Sequence, residues 1–146
     1  MTKRAWIIAA TVGLAACDRE AAFTVDAVDL AAEHPTSKLR VVLVHYGAID
    51  EDVTLDFAAG TTQYTFATPL EVGVEYGVAA YLDLDADGAC SAHPVDLPWL
   101  FTYLPALNTD FNWVPDPEES PDAWAACGWF GDGASPEPAE PGDDPL

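Results

Sequence analysis

The sequence predicts an all-β fold, a two-sheet sandwich of about seven short strands. Three observations predict it: apolar residues recur at every second position through the middle of the chain, clusters of Gly, Pro, Asp and Asn separate those runs, and helical spacing fits poorly. With 146 residues, half of them apolar, and 5 Trp, 5 Tyr and 6 Phe, the chain has enough burial for one modest domain and is not disordered throughout.

The strands follow in order. Phe23 to Leu30 is the weakest candidate, and Leu39 to Tyr46, apolar on both faces apart from Arg40 and His45, reads as a central strand. Asp52 to Phe57 alternates, with Val53, Leu55 and Phe57 on one face and Asp52, Thr54 and Asp56 on the other. Thr62 to Ala67 sets Tyr64 and Phe66 on one face, and Val72 to Leu82 does the same with Val72, Val74, Tyr76, Val78, Ala80 and Leu82. Trp99 to Leu104 and Asp110 to Val114 complete the set. Ala31 to Glu33 and Ser120 to Ala126 are the candidate helical turns. Strands of this length and spacing favour an immunoglobulin-like or transthyretin-like sandwich over a barrel.

Residues 1–16 read as an address. Met1, the basic pair Lys3 and Arg4, and the apolar run Ala5 to Ala16 precede Cys17. A run of about a dozen residues, at roughly 1.5 Å per helical residue, cannot cross a hydrocarbon core of roughly 30 Å, so it is a signal segment and not a span. Leu14-Ala15-Ala16-Cys17 resembles the lipobox of bacterial lipoproteins. The resemblance implies cleavage before Cys17, acylation of its sulfur and amino group, and a durable anchor in membrane lipid, with the rest of the chain extracytoplasmic in the cell envelope. The alternative is an ordinary secretory signal that happens to end beside a cysteine. Asp18 is similar to an inner-membrane retention signal of enterobacterial lipoproteins, a rule that does not extend to every lineage, so both membranes stay open.

Composition divides the remainder into a tether at 17–22, a sandwich domain at 23–130 and an acidic, Pro-rich tail at 131–146. The formal charge of −20, from 25 acids against 5 Lys plus Arg, excludes nucleic acid, whose binding depends on cationic side chains neutralising phosphates. Cations are the natural small partners. A salt-loving host, in which acidic surfaces need no specific ligand, is the other account of that charge.

The most informative chemistry is the run Asp83-Leu84-Asp85-Ala86-Asp87-Gly88. Three carboxylates at alternating positions before a turn-forming glycine can converge on one hard cation, and Ca²⁺, with six to eight oxygen ligands, suits that crowding. The run resembles the first half of an EF-hand loop, with Ala89 placed to offer its carbonyl and Ser91 a hydroxyl or a water contact. The second half departs: Pro94 stands where a bidentate Glu is needed, and no helix precedes the loop. Calcium loops of extracellular β-sandwich modules are the closer resemblance, and they imply a later acid that closes the shell, here Asp96. The stretch Tyr81 to Trp99 also resembles a hairpin of bacterial surface lipoproteins to which no activity attaches. The alternative reading is a solvated polar turn in an acidic protein.

Cys90 and Cys127, the two cysteines left once Cys17 carries lipid, most simply form a disulfide across 127 minus 90, or 37, positions. A zinc site built on Cys90 and His93 is the competing reading, with His34 and His45 as remote partners. Eight aromatics fall between Trp99 and Phe130. They fill the core, or else they form a platform for stacking sugar rings of a cell-envelope glycan, for which Trp124 and Trp129 are the candidates because they lie among Pro, Gly and acids. No Gly-x-Ser-x-Gly elbow, phosphate loop or His-Glu-x-x-His is present, and three scattered histidines make no triad, so an enzyme is not expected. The expectation is a lipid-anchored binding or structural module with a calcium-stabilised loop.

Overall fold

A computed structural model describes residues 20–91, 94–106, 110–119 and 124–131, and these described residues form nine strands, one α-helix and two short 3-10 helices. In order they are β1 (Glu20–Ala21), β2 (Phe23–Asp26), α1 (Val28–Glu33), β3 (Lys38–His45), β4 (Ala48–Asp56), β5 (Gln63–Thr65), β6 (Leu70–Glu71), β7 (Tyr76–Asp83), β8 (Leu97–Tyr103) and β9 (Phe111–Trp113), followed by the 3-10 helices Pro117–Glu119 and Trp124–Trp129. This is the expected all-β sandwich: β1 and β6 are two-residue strands, and the other seven each overlap one of the seven runs that the sequence marks as strands. Residues 1–16, which the sequence reads as a signal segment, Cys17 and residues 132–146 lie outside the described residues.

Strands β4-β3-β7-β8 make an antiparallel sheet, and β5-β2-β9 make a second, in which β2 runs antiparallel to β5 and parallel to β9. The small pair β1-β6 forms a third. Their inner faces share one core, to which β2 gives Phe23 and Val25, β3 gives Leu39, Val41 and Leu43, and β8 gives Trp99. Burial of such side chains contributes about 1.5–3 kcal/mol each, which holds the two sheets face to face.

Strand β3 is apolar on both faces because it serves two cores. Its alternate residues Val42 and Val44 point the other way, where with Ala79 and Tyr81 of β7 they are covered by Ala126, Cys127 and Phe130. Strand β4, at the sheet edge, keeps the one-sided alternation: Leu55 is buried, whereas Asp52 and Asp56 pair with Arg40 and Lys38 at 2.7 and 3.8 Å. The β3–β4 hairpin turns through Tyr46 and Gly47, both at positive φ, as the tight turn that matches strand twist requires. Glu51 of β4 clamps the following connection, accepting hydrogen bonds from the Tyr64 hydroxyl, the Ala67 and Thr68 amides and the Thr68 hydroxyl. Burial pushes its carboxyl up, but those four donors outweigh it and hold it below the ordinary range.

Several boundaries differ from the sequence expectation. The first strand stops at Asp26 rather than Leu30, because Ala27, Leu30 and Ala31 are buried at helical spacing and Asp26 Oδ1 accepts the Val28 amide at 3.3 Å. The run from Val72 is broken at Gly73, whose φ of 84° and whose N–H, donated to the Pro105 carbonyl, take it out of any ladder, so β7 begins at Tyr76. Glu20–Ala21, read as part of a spacer, pairs with Glu71 and Leu70, and Ala21 is buried.

Candidate cation site

Strand β7 delivers the site. It pairs with β3 so that Tyr81 lies opposite Arg40 and Asp83 opposite Lys38, all on the outer face of the four-stranded sheet. Leu82 on the inner face anchors the strand in the core and pairs with Leu97 of β8, which fixes both ends of the intervening loop. Within that loop Ala86 and Gly88 both adopt left-handed backbone, at φ 61° and 77°. That conformation costs an L-residue such as Ala86 roughly 1–2 kcal/mol, so the rest of the loop must hold it in place.

The aspartates themselves hold it. Asp85 Oδ1 accepts the Asp87 amide at 3.2 Å, Asp87 Oδ1 accepts the Ala89 amide at 2.8 Å, and Asp83 Oδ2 accepts the Gly88 amide at 3.0 Å. Asp96, fully buried, joins the two sides of the loop: its Oδ1 accepts the Leu84 amide at 2.9 Å and its Oδ2 the Ser91 amide at 2.8 Å. The Tyr81 hydroxyl donates to the Gly88 carbonyl at 3.0 Å from below.

With these bonds made, one carboxylate oxygen from each of Asp83, Asp85, Asp87 and Asp96 lies within 4.8 Å of the others. Asp85 and Asp87 face solvent, whereas Asp83 and Asp96 are 8% and 0% exposed. The Asp83 Oδ1 atom is buried with no hydrogen-bond partner, in a residue type that is almost never left unpaired inside a protein. Asp96 feels the crowding too. Burial raises its pKa, the Leu84 and Ser91 amides pull it down, the charges of Asp85 and Asp83 push it up again, and the net direction is upward. Four oxygens this close repel one another, and a divalent cation among them would offset that repulsion with its own attraction for each carboxylate.

All four aspartates predicted from the sequence therefore meet, while Ala89 joins the same turn through its amide. What sequence reading missed is the cationic border. Lys38 and Arg40 are the only Lys and Arg between residues 20 and 131, and both line a cavity of about 190 Å³ with Tyr81 and Asp83. A neighbouring cavity of about 220 Å³ shares Lys38 and Asp83 and reaches Asp87. Only the β3–β7 register brings these groups together, and no local spacing announces it.

The two cysteines settle in the simpler way. Cys90 and Cys127 are bonded to one another, so Cys90 has no thiolate for zinc, and its proposed companion His93 lies outside the described residues. His45 is a half-buried strand residue 3.6 Å from Asp50, packed against Tyr46 and Tyr76, with Nε2 buried and unpartnered. Most of the aromatic concentration is core. Trp99 and Trp113 are buried edge-to-face at 5.9 Å, and Phe111 stacks on Tyr103 at 4.1 Å. Trp129 is half-buried against the second core, and the side chain of Trp124 lies outside the described residues. Comparison with protein-family models, with curated proteins and with solved structures finds no match for the chain.

Proposed function

We propose that this protein is a lipid-anchored, extracytoplasmic binding or structural module of the bacterial cell envelope, without enzymatic activity, whose β7–β8 loop is locked by one calcium ion. Two observations carry the ion reading: one carboxylate oxygen from each of the four aspartates lies within 4.8 Å of the others, and one of those residues, Asp83, has a buried oxygen with no hydrogen-bond partner. Calcium–oxygen distances of roughly 2.3–2.6 Å put ligands on opposite sides of the ion about 4.6–5.2 Å apart, which suits this spread. Magnesium, at roughly 2.0–2.1 Å, demands a tighter set and holds its waters. The ion's role is structural, because its ligands come from a single loop and its closing residue.

The test is a thermal melt with calcium, with magnesium and with chelator. At a hundredfold excess over Kd, calcium stabilises by about 2.7 kcal/mol, which raises Tm by roughly 10 °C for a domain of this size. Identical melts in calcium and in chelator overturn the ion reading. The anchor is tested separately. Cys17→Ser is expected to move the protein from the membrane fraction to the soluble fraction and to remove the mass of its acyl chains, and unchanged partitioning overturns the lipid reading.

A further inference from the structure

The loop that carries the carboxylates also carries one end of the disulfide. Cys90 lies between Asp87 and Asp96 in the chain, and the next residue, Ser91, donates its amide to Asp96. Cys127, at the other end, belongs to the 3-10 helix Trp124–Trp129, which covers the outer face of the four-stranded sheet. A second tether runs parallel to the first. Tyr81 packs its ring edge-to-face on Phe130 at 4.8 Å and donates its hydroxyl to Gly88 in the ion loop. The C-terminal cap and the carboxylate loop are therefore held to each other twice.

We propose that the Cys90–Cys127 disulfide and the cation site are one coupled unit: oxidation preorganises the loop for a divalent cation, and the bound cation in turn protects the disulfide from reduction. This inference rests on the ion reading above. Its physical basis is the crowding of charge around Asp83, whose Oδ1 is buried without a partner in a residue 8% exposed. The Ser91 amide is one of the two backbone donors that hold Asp96 against Asp83 and Asp85, and it is the one on the Cys90 side of the loop. Cutting the sulfur link frees the Cys90–Ser91 segment from the cap, so the cation must then order that segment itself. Because the coupling is a difference in binding free energy, it acts equally in the other direction.

Reduction here means attack by one thiolate of a dithiol on a protein sulfur to give a mixed disulfide, followed by displacement of that protein sulfur by the second thiol. Two electrons leave the reductant, which ends as a cyclic disulfide, and Cys90 and Cys127 end as thiols. Both cysteines are buried, at 3% and 1% exposure, so the attack waits on opening of the cap. A cation that holds the loop opposes that opening. At a given free calcium concentration the site would then fill more readily in an oxidising environment than in a reducing one.

The experiment is a redox equilibrium of the full chain carrying Cys17→Ser, in dithiothreitol buffers of graded ratio, with saturating calcium or with chelator. Calcium binding to the oxidised protein is measured alongside by calorimetry. Calcium is expected to raise the reductant ratio needed for half-reduction by about tenfold, within the 5–150-fold range of ordinary couplings. The Asp85→Asn/Asp87→Asn variant changes two exposed side chains, so it retains the fold and is expected to show no calcium effect on that ratio. A midpoint that calcium leaves unmoved in a protein that binds calcium overturns the coupling alone. An oxidised protein that binds no calcium overturns the ion reading and the coupling with it. A midpoint shift that survives in the double Asn variant places the cation elsewhere and also overturns the proposal.

Discussion

Asp96→Ala is expected to lower the unfolding free energy by about 3 kcal/mol in the presence of chelator and to abolish calcium binding. Asp96 is fully buried, and each of its oxygens accepts one backbone amide, from Leu84 and from Ser91. Alanine leaves both donors unpaired, at a cost of about 1–3 kcal/mol each, while relief of repulsion from Asp83 and Asp85 returns part of it. Asp96→Asn keeps an acceptor and drops the charge, so its loss in chelator is smaller although its calcium affinity also falls.

The pH dependence separates the charge from the hydrogen bonds. Because the folded protein holds the Asp96 carboxyl above its ordinary value, the group favours folding fully below the unfolded carboxylate pKa of about 3.9 and loses that contribution as pH rises through the raised value. Urea unfolding in chelator is therefore expected to show a downward contribution just above the ordinary carboxylate range, absent in Asp96→Asn. Saturating calcium reverses the slope, since protons then compete with the ion. An Asp96→Ala protein with wild-type stability and an intact calcium response would sink this account of the loop.

The parts of this fold that are legible in the sequence are those where one local period decides the outcome. Strand β4 and the residue after it show the alternation in Val53, Leu55 and Phe57 because one face meets the core and the other meets Lys38 and Arg40. Strand β3 reads as central because the C-terminal cap gives its outer face a second core, which the sequence signals only as the absence of alternation. Helix α1 is six residues long, too short to establish a period against the strand before it. The parallel pairing of Phe23 with Phe111 joins residues far apart in the chain, and no local pattern encodes it. The carboxylate run from Asp83 to Gly88 is legible because alternating acids before a turn-forming glycine are a local pattern, and Asp96 follows only as a later acid. Its part in joining Leu84 to Ser91 depends on where the loop returns, which the β7–β8 register sets.

Phe23→Ala is expected to cost about 3–5 kcal/mol, more than any substitution in the carboxylate loop. Phe23 is fully buried on β2, the middle strand of the three-stranded sheet. Its ring lies 4.9 Å from that of Phe66 and stacks at 5.4 Å on that of Phe111, so truncation opens a cavity between two other segments of the chain. Phe111 pairs with Phe23 in the β2–β9 ladder and the Phe66 amide donates to the Phe23 carbonyl, which limits how far either ring can move inward to fill the space. In urea, the midpoint should fall with little change in slope, since the surface exposed on unfolding is nearly the same. The calcium increment should survive, because β2 belongs to the opposite sheet and none of the four aspartates lies on it. Distant, independent sites contribute additively to within about 0.3–0.5 kcal/mol. A Phe23→Ala protein that is destabilised as expected yet gains the full stabilisation from calcium would show that the ion acts on the β7–β8 loop itself. Loss of that gain would mean that the loop takes its shape from the whole sandwich and not from its own hydrogen bonds.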